Sequence, residues 1–308
     1  MRLVDYLDKG ASLGADIPCL TMDGKDLSYG DVQRLSYRIA RGLANSGIIP
    51  GEKVAILSGN DPIAFACVFG ISRAGAVWCP INPRNEAAEN QFILDAFDCS
   101  LLLFHSGFAP MVDKLRPDLP KLRKLVCLDT DMSFAPSFER WLADVDSQPF
   151  QRDPVDDLAL IPGTGGTTGK PKGVMLSGRN IETMTALTLM GYPFKGRPTY
   201  LALAPLTHAA GVLCFPIMTL GGRVVIMHHP DTGEFLDLAN LLADTDPANA
   251  DAFTEIEECI ERSAATIQPK AISIVAVIQE YEAAARRQKL RPTGSWRMRG
   301  QPRLGRSG

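Results

Sequence analysis

Apolar positions over the first 230 or so residues fall into two alternating kinds of run: short strand-like blocks, and longer stretches that repeat every three or four residues. The spacing predicts a helix opening at Leu27-Ser28-Tyr29-Gly30-Asp31, with Ser28 three residues before Asp31 as its cap. Leu35, Ile39 and Leu43 then recur on one face before Gly47 stops it. Val54–Leu57 reads as a strand, Asp61-Pro62 begins a second helix through Gly70, and Ala76–Cys79 makes the next strand. Pro80 and Pro83 are expected to force an irregular exit toward Glu86–Phe97. Leu101–Phe104 and Leu125–Leu128 continue the alternation, and the whole predicts a layered α/β domain without internal repeats.

Pro198–Gly222 raises the question of a membrane span, because no charge lies between Arg197 and Arg223 and the interval exceeds the roughly 20 residues that cross a bilayer. Pro205, Thr207, His208, Gly211 and Pro216 interrupt it, as suits a buried strand–loop–helix passage, so no membrane span is expected. Secretion is not expected either, since Arg2, Asp5, Asp8 and Lys9 occupy the place of an apolar signal.

Composition narrows the class. The 308 residues are 45% hydrophobic and 22% charged with a net charge of −3, a globular profile with no basic footprint for nucleic acid. The seven cysteines, at 19, 67, 79, 99, 127, 214 and 259, never approach within a CxxC spacing. Metal knuckles and a disulfide framework are therefore disfavoured, and reduced thiols in the cytoplasm are expected.

Charge also divides the chain. Residues 234–262 hold nine acids against Arg262 alone, whereas 270–306 hold nine cations against Glu280 and Glu282. The expected organisation is a first region over 1–238, a divergent helical segment over 239–290 and a disordered basic tail over 291–308.

The strongest chemical signal is Thr164-Gly165-Gly166-Thr167-Thr168-Gly169-Lys170-Pro171-Lys172-Gly173, set between the apolar runs Leu158–Ile161 and Val174–Leu176. Read as strand–loop–strand, its glycines let backbone N–H groups turn inward, while three hydroxyls and two lysines add donors, so a polyphosphate is the natural guest. A glycine-rich hairpin with incidental threonines is the alternative, and it explains neither hydroxyls nor lysines. A Walker loop is excluded because Thr164 stands where its first glycine belongs and Pro171 follows Gly169-Lys170. The dinucleotide fingerprint fails too, with Thr168 in place of the third glycine and a strand-like Val174-Met175-Leu176 in place of a helix. His228-His229 with Asp231 looks like metal bait, but adjacent strand residues point to opposite faces, and no Ser, Cys or His triad is legible.

TGGTTGKPKG at 164–173 resembles the phosphate-loop signature of AMP-forming adenylating enzymes, [ST]-[SG]-G-T-T-G-x-P-K-G. The likeness runs from about residue 3 to about 238, through residues 27–60, AGAVWCPINPRN at 74–85 and LAPLTHAAGVL at 203–213. That last segment and Met175-Leu176-Ser177 are most similar to acyl-CoA ligases. The resemblance implies the layered sheets and helices of the adenylating-enzyme N-terminal domain, incomplete and without its C-terminal lid. It implies activation of a fatty or aryl carboxylate by ATP with Mg2+, and transfer of the acyl group to coenzyme A. Thr164, Gly165, Gly166, Thr167, Thr168, Gly169 and Lys172 would hold the β- and γ-phosphates. By itself His208 reads as a satisfied core histidine; the resemblance places it instead at the position that lines the acyl pocket.

The family's later motifs find no match here: the Tyr-Gly-x-Thr-Glu loop, the Gly-Asp ribose element, the Gly-Arg hinge and the lid lysine. Thr254-Glu255 matches two letters without the preceding glycine, and Pro269-Lys270 lacks the Gly-Lys that should follow. Three expectations stay open: a weakly active or inactive ligase, a non-catalytic nucleotide-binding or regulatory protein, and a truncated or frame-shifted product.

Overall fold

Period-two burial divides the strands between two cores. Strand β3 (Lys53–Leu57) sends Val54 and Ile56 to one and Ala55 and Leu57 to the other, and β5 (Cys99–Phe104) separates Leu101 and Leu103 from Leu102 and Phe104. The computed structural model describes residues 1–164, 171–192, 194, 196–202, 204–207 and 209–228, all within one unit, Met1–Asp231. Loop residues 165–170, His208, His229, Asp231, Cys259 and the segments 239–290 and 291–308 lie outside the described residues.

Among the described residues the larger sheet runs β10 (Leu176–Ser177), β7 (Leu158–Leu160), β4 (Val77–Ile81), β3, β5 and β6 (Lys124–Cys127). It is parallel except for β10. One face packs toward α1 (Leu3–Leu13), α2 (Tyr29–Asn45) and α3 (Pro62–Arg73), the other toward α4 (Ala87–Ala96) and α5 (Ala109–Leu115). Coverage on both sides explains why β4 and β5 are buried throughout. Phe138 of α6 (Phe138–Trp141) closes the first core at its rim.

The second sheet has the order β11 (Thr199–Ala202), β12 (Arg223–Ile226), β1 (Pro18–Met22), β2 (Lys25–Ser28). Its β1–β2 hairpin turns on Asp23 and Gly24, with φ of 51° and 69°, which is the twist of a type I′ connection. Leu20 pairs in parallel with Val224, so the first strand of the chain is neighbour to the last described one. Helices α7 (Gly178–Gly191) and α8 (Ala209–Thr219) contribute Ile181, Cys214, Phe215 and Met218 to the core shared with α1. A two-residue ladder, β8 (Gly163–Thr164) with β9 (Lys172–Gly173), stands apart.

Most sequence expectations hold in position. Ser28 caps α2, its hydroxyl accepting from the Asp31 amide while the Asp31 carboxylate receives the Ser28 amide. Asp61 caps α3, with Pro62 in the first turn. That helix continues three residues past Gly70 to Arg73, because Ile71, Ser72 and Arg73 are buried as well. Residues 198–222 form β11, a loop and α8, and among the described residues no helix is long and apolar enough to cross a membrane.

Three expectations need correction. Pro80 does not end its strand: β4 continues to Ile81. Trp78 accepts from Ile161 on the β7 side, and Pro80, two residues on, turns its missing N–H the same way, where the β4–β7 ladder has already ended at Trp78–Leu160. Val174-Met175-Leu176 is not one strand, since the ladder breaks between Gly173 and Leu176 and leaves Val174 and Met175 exposed. His228 lies beyond the end of β12 and pairs with Asp23 at 3.0 Å, so the opposite-face argument does not apply to it.

Candidate functional site

The glycine-rich loop is carried at the carboxyl end of the parallel sheet. Strand β7 enters beside β4, Ile161 donates to Trp78 O at 2.9 Å, and the chain then turns out through Pro162 into β8. Gly163 pairs with Gly173 and Thr164 with Lys172, so the loop between them closes on a two-residue ladder. Val174 N to Pro162 O, 3.0 Å, extends that closure by one bond.

Packing fixes this stem. A Cβ on Gly173 would stand 2.7 Å from both Ile161 Cγ2 and the Phe97 ring, and one on Gly163 would stand 3.3 Å from Ile93 Cδ1. The stem therefore presses against α4 and its last cap, Phe97, with glycine where the backbone has no room. Of the predicted phosphate ligands, the structure sets Thr164 opposite Lys172 across the stem, with the Lys172 side chain exposed. The other five lie outside the described residues.

His208 also lies outside them, but its approach is well defined. Asn60, just past the carboxyl end of β3, donates to Met227 O at 2.8 Å and Ala204 O at 3.3 Å, and accepts from Leu206 N at 2.8 Å. A Cβ on Gly211 would lie 2.0 Å from Leu206 O, so α8 begins in direct contact with the same loop. No sequence signal singled out Asn60, whose partners are 144 to 167 residues away.

The sequence showed no legible triad, yet the structure brings Ser58, His105 and Asp61 together. Ser58 Oγ is 2.9 Å from His105 Nδ1, and His105 Nε2 is 4.0 Å from Asp61 Oδ2. The hydrogen bonding runs against a nucleophile. Ser58 donates its proton to Gly59 O at 2.6 Å and so accepts from the ring, and Asp61 is engaged by the Ala64 amide at 2.7 Å. With Ser58 buried, these groups tie the ends of β3 and β5 together. Beside them Ser106 donates through both amide and hydroxyl to Asp129. Burial opposes the charge on Asp129, but those bonds prevail and hold its carboxyl below the usual aspartate range. Among the described residues no group of three His, Cys, Asp or Glu side chains could hold a metal ion.

A family model described as "AMP-binding enzyme" matches residues 7–248. Feruloyl-CoA synthase of Amycolatopsis sp is 32% identical over 215 residues, covering 69% of this chain and 41% of that protein. 4-Coumarate–CoA ligase 3 of Arabidopsis thaliana is 31% identical over 251 residues, covering 77% and 44%. The N-terminal domain of FACL13 from Mycobacterium tuberculosis superposes with a TM-score of 0.70 at 24% identity, covering 77% of this chain and 60% of that one. The chain thus spans less than half the length of these two curated relatives.

Proposed function

From the premise that the chain belongs to the AMP-binding enzyme family, we propose that it binds ATP at the 164–173 loop, in a site for AMP-forming activation of an aryl or fatty carboxylate destined for coenzyme A. One observation carries this: a loop of glycines, threonines and lysines closes on a two-residue antiparallel stem at the carboxyl end of a parallel sheet. That is where open α/β sheets receive their ligands. The curated relatives named for feruloyl-CoA and 4-coumarate–CoA chemistry support the choice of carboxylate.

The reaction sets an electrostatic problem. A carboxylate must attack an α-phosphate that is itself anionic, and pyrophosphate must leave with the charge. In this proposal the backbone N–H groups of Gly165, Gly166 and Gly169, the hydroxyls of Thr164, Thr167 and Thr168, and the Lys172 ammonium receive the β- and γ-oxygens. Loss of one such donor costs about 3 to 4 kcal/mol of transition-state stabilisation. His208 stands against the acyl group near the reacting carboxylate. Magnesium enters with ATP, and the described residues supply it no acidic cluster.

Turnover by these 308 residues is slow in this proposal, because the motifs that bring the ribose anchor, the metal carboxylate and the lid lysine have no match in the sequence. The test is calorimetry with ATP alongside pyrophosphate release with aryl and fatty carboxylates, magnesium and coenzyme A. ATP binding that weakens in Lys172→Ala is the expected result. No binding by the parent chain, or unchanged affinity in the variant, overturns the site, and brisk pyrophosphate release overturns the expectation of slow turnover.

A further inference from the structure

The carboxamide of Asn60 occupies an unusual place: a single side chain, one residue from the cap of α3, bonds three backbone groups that belong to the other sheet's loops. Its Nδ2 bridges the carbonyls of Ala204 and Met227, one after β11 and one after β12, while Oδ1 takes the Leu206 amide. Both ends of the amide are thus in use, donor and acceptor each on its complementary partner. The same loop is met by α8 as well, where Gly211 lets the helix start against Leu206 O. Two residues after Leu206 comes His208.

We infer that Asn60 is a positioning residue for the acyl pocket: it fixes the 204–207 loop against the carboxyl end of β3 and so sets where the His208 side chain meets the carboxylate substrate. The inference rests on the pocket role proposed for His208. The chemistry of the amide makes it specific. Aspartate keeps the acceptor for Leu206 but faces two carbonyl oxygens with a charge and no donor. Alanine abandons all three bonds. Neither substitution touches the β8–β9 stem, whose glycines Gly163 and Gly173 stand against Ile93, Ile161 and Phe97. Carboxylate recognition should therefore respond while ATP binding does not.

The experiment uses the full chain and four variants, Asn60→Ala, Asn60→Asp, Gly211→Ala and His208→Ala. Backbone hydrogen exchange over residues 204–212 is read by mass spectrometry, and affinities for 4-coumarate, decanoate and ATP by calorimetry. Asn60→Ala and Asn60→Asp are expected to raise exchange in that segment and to weaken the carboxylate that the parent prefers by about tenfold or more, with ATP affinity unchanged. Gly211→Ala, which pushes the same loop through Leu206 O, is expected to do likewise and serves if the Asn60 variants fail to fold. Unchanged exchange overturns the clamp. Carboxylate affinity retained in the Asn60 variants but lost in His208→Ala overturns the positioning role, as does an equal loss of ATP affinity, which would mark general support of the fold. A parent that binds neither carboxylate, or His208→Ala without effect, overturns instead the pocket reading of His208 and with it the assignment of Asn60 to that pocket, whatever the exchange data show.

Discussion

Arg73 is the largest fully buried side chain among the described residues, and its charge is met on every side. Its guanidinium pairs with Asp8, donates to Ser36 Oγ at 2.7 Å and Gln151 Oε1 at 3.3 Å, and lies 4.1 Å over the Tyr37 ring. Arg73→Ala should cost about 3 kcal/mol in urea unfolding, the lower end for breaking a buried pair, since Asp8 is 32% exposed and can rehydrate. Arg73→Lys should recover little of it, because an ammonium cannot reproduce the planar fork. At the start of α2, hydrogen bonds from the Ser28 hydroxyl and amide, with Arg34 adding to them, hold the Asp31 carboxyl below its usual range. A depressed folded value means that this contribution to stability is present above the unfolded aspartate value, about 4, and is lost as pH falls through the folded one. The melting-temperature gap between the parent and Asp31→Asn should accordingly be widest near neutrality and close under acid. A gap independent of pH would refute it.

Among elements, the β8–β9 stem and the α2–α3 contact make the sharpest demands on sequence. Gly173→Val would drive a branched side chain into Ile161 and Phe97, so it should reduce ATP affinity at least tenfold while the far-UV spectrum stays that of an α/β protein. Where α3 crosses α2, a Cβ on Gly70 would stand 2.3 Å from Ile39 Cγ2, and Gly70→Ala should cost about 1 to 3 kcal/mol by overpacking, measurable by denaturant titration. The elements that the sequence disclosed are those whose signals are local: the Ser28 cap, Asp61-Pro62, and the strands of β3 and β5. The Asp23-Gly24 turn is an equally local hairpin signal, and the Leu3, Val4, Leu7 face of α1 an equally local helical one. Pro80 misled because its tolerance depends on where a neighbouring ladder stops, a fact about β7 rather than about Pro80. The phosphate loop was legible because its residues are contiguous. Asn60 was not, because everything that gives it meaning arrives from a distant part of the chain.

At the scale of the whole molecule, all six described cysteines are buried, and burial raises the thiols of Cys19, Cys67, Cys127 and Cys214 away from the reactive thiolate. Six of the seven thiols should thus react slowly with a disulfide reagent in the native protein and promptly in urea, and rapid native labelling of more than one would contradict the packing described. The parallel pairing of β1 with β12 reaches further, into synthesis. Met22 and Lys25 can close their hairpin as soon as they leave the ribosome, but the opposite edge of β1 must wait for Val224, roughly 200 residues later. At about 5 to 20 residues per second that is an interval of about 10 to 40 seconds. Throughout it, Cys19 and Leu20 lack the β12 neighbour that completes their side of the sheet, and Tyr29 lacks the Gly222 carbonyl that its hydroxyl meets at 2.6 Å. A nascent chain of this protein thus carries an open edge on β1 over those roughly 200 residues of synthesis, and chaperone occupancy of stalled chains should fall only once residues 223–226 have emerged.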